Sequence, residues 1–246
     1  MMRKRVISLD LSLLSYPEAL EQIIQRARER TPSYACFANV HMVIEAHKSA
    51  QFQEFVNGAT FTFADGMPLV KSLGWLHGIR QDRIAGMDFM NDILAVADGM
   101  RIFFFGSSPQ VLAELVAKIE LRHPGISVVG SISPPYRPLS DDENKEYARQ
   151  INQSGAHLVF VGLGCPKQET WMAKNSGQIN AVLLGVGGAF EVSAGLTKRA
   201  PEWMRKASLE WFFRLMQEPG RLWRRYLLTN SLFIWLLFRQ LVGQRS

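Results

Sequence analysis

Cysteine is scarce. Only Cys36 and Cys165 occur in 246 residues, far apart and without a nearby set of histidines, so neither a disulfide framework nor a zinc site is indicated and a reducing compartment fits. No Gly-x-Gly-x-x-Gly follows the first strand, no P-loop occurs and no Asp-x-Asp is present, which disfavours a dinucleotide or a metal-bound triphosphate. Long hydrophobic runs are also missing. The N-terminal "MMRKRVISLDLSLL" is broken by Asp10 and serines too soon for a signal-peptide core, and reads as a first strand in a cytoplasmic protein. Near the other end, Tyr226 to Gly243 is apolar, but Thr229, Asn230 and Ser231 interrupt it. The unbroken run from Leu232 to Phe238 falls far short of the roughly 20 residues that span a bilayer. Acidic residues are outnumbered, 22 against 28 basic ones, and the net charge of +6 is uneven because arginines crowd the stretch from Arg199 to Arg245. That end should meet anions: lipid head groups, nucleic-acid phosphates or a substrate diphosphate.

What is present is alternation. Short apolar runs, "RVISL", "YACFANV", "ATFTFAD", "RIFFFG", "ISVVGSI", "HLVFVGLG" and "AVLLGVG", are separated mostly by helical patterns. Pro17 precedes an apolar stripe of Leu20, Ile23, Ile24 and Ala27, and "SDDE" at Ser140 to Glu143 is a capping box. The pattern predicts an α/β fold: a Rossmann-like, mostly parallel sheet with helices on both faces, which binds ligands at the carboxyl ends of its strands. Strand ends at Asn39, Asp65, Gly106, Gly164 and Gly187 should then share one rim. The chain divides into a body over residues 1–195 and a helical, arginine- and aromatic-rich appendage over 196–246, with Trp203, Trp211, Phe212, Phe213 and Trp223.

The residues on that rim carry the chemistry. Asp65 in "FADGMP" reads either as a helix N-cap or as a general base facing the cleft, and Asn39 in "FANVH" either caps the next helix or orients a sugar hydroxyl. In "GLGCPKQE" the glycines, Gly164 among them, let backbone approach a ligand, and Pro166 suits the first turn of a helix whose N-terminus attracts anions. Lys167 reads as a solvated charge or an anion contact, and Gln168 as an amide aimed at phosphate or sugar. The second corner, "GVGGAFEVSAG", offers Gly187 and Gly188 for close approach, then Phe190, and then Glu191 to accept from a base or ribose. Tyr136 in "SPPYRP" sits on a proline-framed loop, to stack on a nucleobase or to pack on the body.

Together "FANVH", "FADGMP", "RIAGMD", "GLGCPKQE", "GVGGAFEVSAG", "KRAPEWM", "LEWFFRL" and "EPGRLWRRYL" resemble, in order and over nearly the whole chain, the WecG/TagA/CpsF family of bacterial glycosyltransferases, glycosyltransferase family 26. The resemblance implies transfer of a sugar from a UDP-sugar, with inversion and with no metal or other cofactor. The acceptor it implies is a polyprenyl-diphosphate-linked saccharide at the inner face of the cytoplasmic membrane. The sugar would be N-acetylmannosamine, its uronic acid, or a hexose such as glucose. By resemblance Asp65 is the base, Asn39 stands beside it, and Gln168 contacts substrate. Arg214, Arg221 and Arg224 belong to an appendage that closes over the site. Tyr136, Gly164, Lys167, Gln168, Gly187, Gly188, Phe190 and Glu191 make up the expected UDP-sugar surface. Phe37 stands where the family often has threonine, and Glu191 where aspartate is common.

An arginine cluster suits stabilisation of the departing diphosphate, because guanidinium groups bind phosphate oxygens bidentately and stay charged. The apolar tail is expected to lie at the membrane interface, with Phe233, Trp235 and Leu236 among acyl chains and Arg221, Arg224, Arg225 and Arg239 toward anionic head groups. The alternative is that it packs on the body or on another subunit. No nucleic-acid motif occurs, and a homo-oligomer is left open. The rival functions are a nucleotide-dependent oxidoreductase and a non-enzymatic, membrane-associated nucleotide-binding module.

Overall fold

The computed structural model describes residues 1–206 and 209–243, without the side chains of Arg205, Lys206, Arg221 and Arg225. It begins with β1 (Arg3–Val6) and β2 (Leu9–Ser12), which pair antiparallel in a sheet of their own. The expected first strand therefore exists but does not join the main sheet. Ile7 turns the chain back with φ 58, and Val6, Leu9 and Leu11 are buried against the helices on one face of the body. The hairpin is tied to the main sheet where the Thr62 amide donates to Ser12 Oγ at 3.0 Å.

Helix α1 (Tyr16–Arg28) starts at a capping box formed by Ser15 and Glu18, with Pro17 in its first turn. The main sheet comprises β3 (Ser33–Ala38), β4 (Phe61–Ala64), β5 (Arg101–Gly106), β6 (Ser127–Ile132), β7 (Leu158–Gly162) and β8 (Val182–Gly185). All its pairings are parallel, in the order β4-β3-β8-β7-β5-β6. The helices that follow these strands cover both faces, as a parallel sheet with apolar residues on both sides requires. One layer holds α2 (Val40–Lys48), α3 (Ala50–Asn57), α4 (Met67–His77), α7 (Asp141–Ser154) and α8 (Lys167–Asn175); the other holds α1, α5 (Gly86–Val96), α6 (Pro109–Arg122) and α9 (Ala189–Ser193). The two-residue period of β3 divides it between them: Tyr34, Cys36 and Ala38 face the first layer, Ala35 and Phe37 the second.

Beyond the body lie α10 (Glu202–Lys206), α11 (Glu210–Gln217) and α12 (Pro219–Gly243). One side of α12 enters the first layer through Phe233, Leu236 and Leu237. Its end is pinned to the hairpin where the Ile7 amide donates to Gln240 Oε1 at 2.7 Å. Phe233 and Leu236, expected among acyl chains, are thus buried in the protein, while Ile234, Trp235 and Phe238 are exposed. The helical period places alternate parts of one apolar run on opposite sides. No helix among the described residues is long and apolar enough to cross a membrane.

Candidate active site

The carboxyl ends of β3, β4, β7 and β8 form the rim that the alternation predicts. Asp65 follows β4, and its amide donates to the Ala38 carbonyl at the end of β3 at 2.9 Å. The helix behind it is capped by Gly66, with no side-chain cap, so the Asp65 carboxylate is not the N-cap of α4. No hydrogen bond to that carboxylate occurs among the described residues. The group is only partly exposed, and its pKa is pushed up to about 7, chiefly by desolvation. The positive charge of Arg83 opposes the rise, Glu210 adds to it, Arg214 opposes it and Asp88 adds to it. A carboxyl group balanced near neutrality and not committed to a helix cap is suited to accept a proton.

Asn39 takes the capping role that Asp65 does not: its Oδ1 accepts from the Met42 amide at 3.2 Å. It remains exposed, and its side-chain NH2 has no partner among the described residues. Asn39 and Asp65 are adjacent across the strand ends, since each directly follows one of the register partners Ala38 and Ala64. Phe37 points away from this rim into an aromatic cluster, with ring centroids 5.5 Å from Phe63 and 5.4 Å from Phe89. Gly86 makes room for it, because a Cβ there would be 3.2 Å from Phe37 Cγ. Position 37 therefore contributes packing, and no hydroxyl.

After β7 the chain turns at Gly164, whose φ of 77 lies in the left-handed region that favours glycine. The Cys165–Pro166 peptide is cis, and Pro166 caps α8. Gln168, expected to aim its amide at a ligand, is buried and spends that amide on the protein. Its Oε1 accepts from the Gly164 amide at 3.2 Å, and its Nε2 donates to Gly185 O at 2.9 Å and to Glu169 Oε1 at 2.7 Å. Gln168 thus joins the loop after β7 to the end of β8. Beyond β8, Gly187 has φ 55, and a Cβ on Gly188 would meet nothing within 4 Å, so this second corner is open. Phe190, expected on the ligand surface, is wholly buried, edge-on to Phe104 with centroids 5.5 Å apart. It supports the corner from beneath. Glu191 is exposed at the start of α9.

Tyr136 does not pack on the body. It is 95% exposed, and its ring carries the ammonium group of Lys167 at 3.9 Å from the centroid. Its loop is anchored at both ends: Ser133 Oγ donates to Ser107 O at 2.7 Å, and Arg137 pairs with Glu143 at 2.7 Å. The loop after β6 and the start of α8 therefore meet above the first glycine corner.

The C-terminal segment reaches the same rim. Arg83 places Nη2 2.9 Å from Asp88 Oδ2 and Nη1 3.5 Å from Glu210 Oε2, while Arg199 pairs with the other Asp88 oxygen. Arg214 is exposed and acts on Asp65 through its charge. Arg224 is exposed and lies over Trp223, 5.2 Å from the ring centroid. The side chain of Arg221 lies outside the described residues. Arg83, Asp88 and Glu210 were not singled out by the sequence reading. "RIAGMD" contains two of them, which pair with each other, but their further partners Glu210 and Arg199 lie far along the chain. A family described as "Glycosyl transferase WecG/TagA/CpsF family" matches residues 4–246, essentially the whole chain.

Proposed function

The chain belongs to the WecG/TagA/CpsF family of glycosyl transferases, enzymes of cell-surface polysaccharide synthesis, and on that premise we propose that it moves a sugar from a UDP-sugar to a polyprenyl-diphosphate-linked saccharide with inversion. The glycosyltransferase assignment leaves the oxidoreductase reading without support. The observation that carries the proposal is the Asp65 carboxylate: free of the helix cap, partly buried, with a pKa of about 7, and on the same rim as two glycine corners.

In the proposed reaction the donor diphosphate lies against the corners at Gly164 and at Gly187 and Gly188. Tyr136, Lys167 and Glu191 stand at the edge to meet the nucleotide. Asp65 takes the proton of the acceptor hydroxyl as that oxygen attacks the anomeric carbon from the face opposite UDP. The bond from anomeric carbon to phosphate oxygen breaks, and its electron pair leaves with UDP. The negative charge that develops there needs positive groups nearby, and the arginines of α11 and α12 are the candidates: Arg214, Arg221 and Arg224. Asn39, beside Asp65, donates its side-chain NH2 to a sugar or acceptor oxygen in this reading. Gln168 acts by holding the corner.

The acceptor is a lipid, and the exposed side of α12 gives the enzyme a surface for the membrane that carries it. Ile234, Trp235 and Phe238 would enter the interface, with Arg239 beside Trp235, its guanidinium 4.9 Å from the ring centroid. The test of the function is a screen of UDP-sugars with a short polyprenyl-diphosphate acceptor, read by UDP release. At least one donor should give acceptor-dependent release. A full panel with none would reject the reading.

A further inference from the structure

Glu169 lies directly behind the first glycine corner and is wholly buried. Its Oε1 accepts from Gln168 Nε2 at 2.7 Å, and its Oε2 has no hydrogen-bond partner among the described residues. The Cys165 thiol lies against the same carboxyl. A carboxyl group in such a place is costly unless something is gained by it. The gain is visible in Gln168. That side chain bridges Gly164 and Gly185 through two hydrogen bonds, its oxygen accepting from the Gly164 amide and its nitrogen donating to the Gly185 carbonyl. A carboxamide nitrogen carries two hydrogens, and the Gly185 carbonyl takes one. Glu169 takes the second.

We propose that Glu169 is a positioning residue of the nucleotide corner: by accepting the second Gln168 amide hydrogen it locks the strut that holds the Gly164 turn against the end of β8. The proposal rests on the reading of that corner as the donor-diphosphate site. Without Glu169 the second hydrogen is buried and unpaired, and a buried donor left unsatisfied loosens whatever holds it. The strut is also packed: a Cβ on Gly185 would lie 3.2 Å from Gln168 Nε2 and 2.6 Å from Met172 Cε. Small movements of Gln168 are therefore passed to Gly164 and Gly185 on either side of the proposed diphosphate.

The test uses the full chain with Glu169→Gln, Glu169→Met, Gln168→Ala and the double variant Gln168→Ala/Glu169→Met. Two quantities are read in each: affinity for UDP by calorimetry, and hydrogen exchange of the Gly164 amide by NMR. Glu169→Gln keeps an acceptor and should stay within about twofold of wild type in both. Glu169→Met should weaken UDP binding about tenfold and speed Gly164 exchange by a similar factor, while the double variant should be no weaker than Gln168→Ala alone, because the two residues act as one unit. Wild-type affinity with wild-type exchange in Glu169→Met would overturn the proposal, and so would losses that multiply in the double variant. Should wild-type protein bind no UDP, the nucleotide reading fails by itself. Gly164 exchange then decides the role of Glu169 alone: unchanged exchange in Glu169→Met rejects it, and faster exchange with rescue by Glu169→Gln supports it.

Discussion

Arg83 of the body meets Glu210 of the C-terminal segment, Nη1 to Oε2 at 3.5 Å, and both act on the Asp65 carboxylate. The position of α11 thereby sets part of the basicity of the proposed catalytic base. Arg83 favours the charged carboxylate, and Glu210 favours the neutral acid.

A pH dependence follows. As the proposed base Asp65 must be ionised, so kcat/KM should rise with pH through a limb near 7, far above the ordinary carboxylate range. Arg83→Gln removes the leading opposing charge and should move the limb upward; Glu210→Gln should move it downward. A pH profile of the three proteins checks the signs, and a limb that stays fixed in both variants would separate Asp65 from this cluster.

Exposed arginines seldom hold a core together, whereas leaving-group charge needs a partner. Arg214→Ala and Arg224→Ala should therefore lower turnover by about tenfold or more, with Tm nearly unchanged. Arg214→Ala should also raise the pH limb, because Arg214 favours ionised Asp65. Parallel losses of Tm and turnover would point to a structural role.

Membrane docking is best tested on the outer side of α12. Removing the helix would uncover the layer that Phe233, Leu236 and Leu237 complete. Replacing exposed Ile234, Trp235 and Phe238 together with serine leaves those contacts in place. The triple variant should lose co-sedimentation with vesicles containing anionic lipid while keeping its Tm. Equal sedimentation of variant and wild type would reject docking by this face.

Gly162 is small because Phe190 occupies the adjacent space: a Cβ there would lie 2.7 Å from Phe190 Cδ2. Gly162→Ala should destabilise the protein by about 1–3 kcal/mol, the usual cost of overpacking. Chemical denaturation measures it, and a neutral result would mean that Phe190 can move aside.

The strand ends are legible in the sequence because each β-rich apolar run stops at a polar or glycine residue, which puts Asn39, Asp65 and the two glycine corners on one rim. Gln168 and Phe190 stand in the first turns of α8 and α9, just past the glycine corners, and a strand-end pattern does not say which side chain of such a turn folds back into the protein. Both therefore read as ligand contacts, although Phe190 fills the core and Gln168 joins the loop after β7 to the end of β8. "MMRKRVISLDLSLL" reads as one strand and not as a hairpin, because the turn depends on left-handed Ile7, a residue type that does not signal one. The ion cluster and Glu169 were hidden for a different reason. Arg83 with Glu210, and Glu169 behind the turn at Gly164, owe their meaning to tertiary neighbours. In α12 the apolar content was plain, and only the helical phase revealed that Phe233 and Trp235 have different surroundings.

The measurement that bears most directly on the account compares wild type with Asp65→Asn in transfer from a UDP-sugar to a polyprenyl-diphosphate acceptor, with UDP affinity and Tm determined on the same samples. The variant should bind UDP as wild type does and transfer about two to four orders of magnitude more slowly, the usual contribution of a positioned base. The folded state holds the Asp65 proton more tightly than the unfolded chain, so this group destabilises the fold as pH rises from about 4 to about 7. Asp65→Asn should therefore have a higher Tm than wild type at pH 8 and lose that advantage at pH 4. Near-normal transfer by Asp65→Asn, with UDP bound, would contradict the assignment of Asp65 as the base.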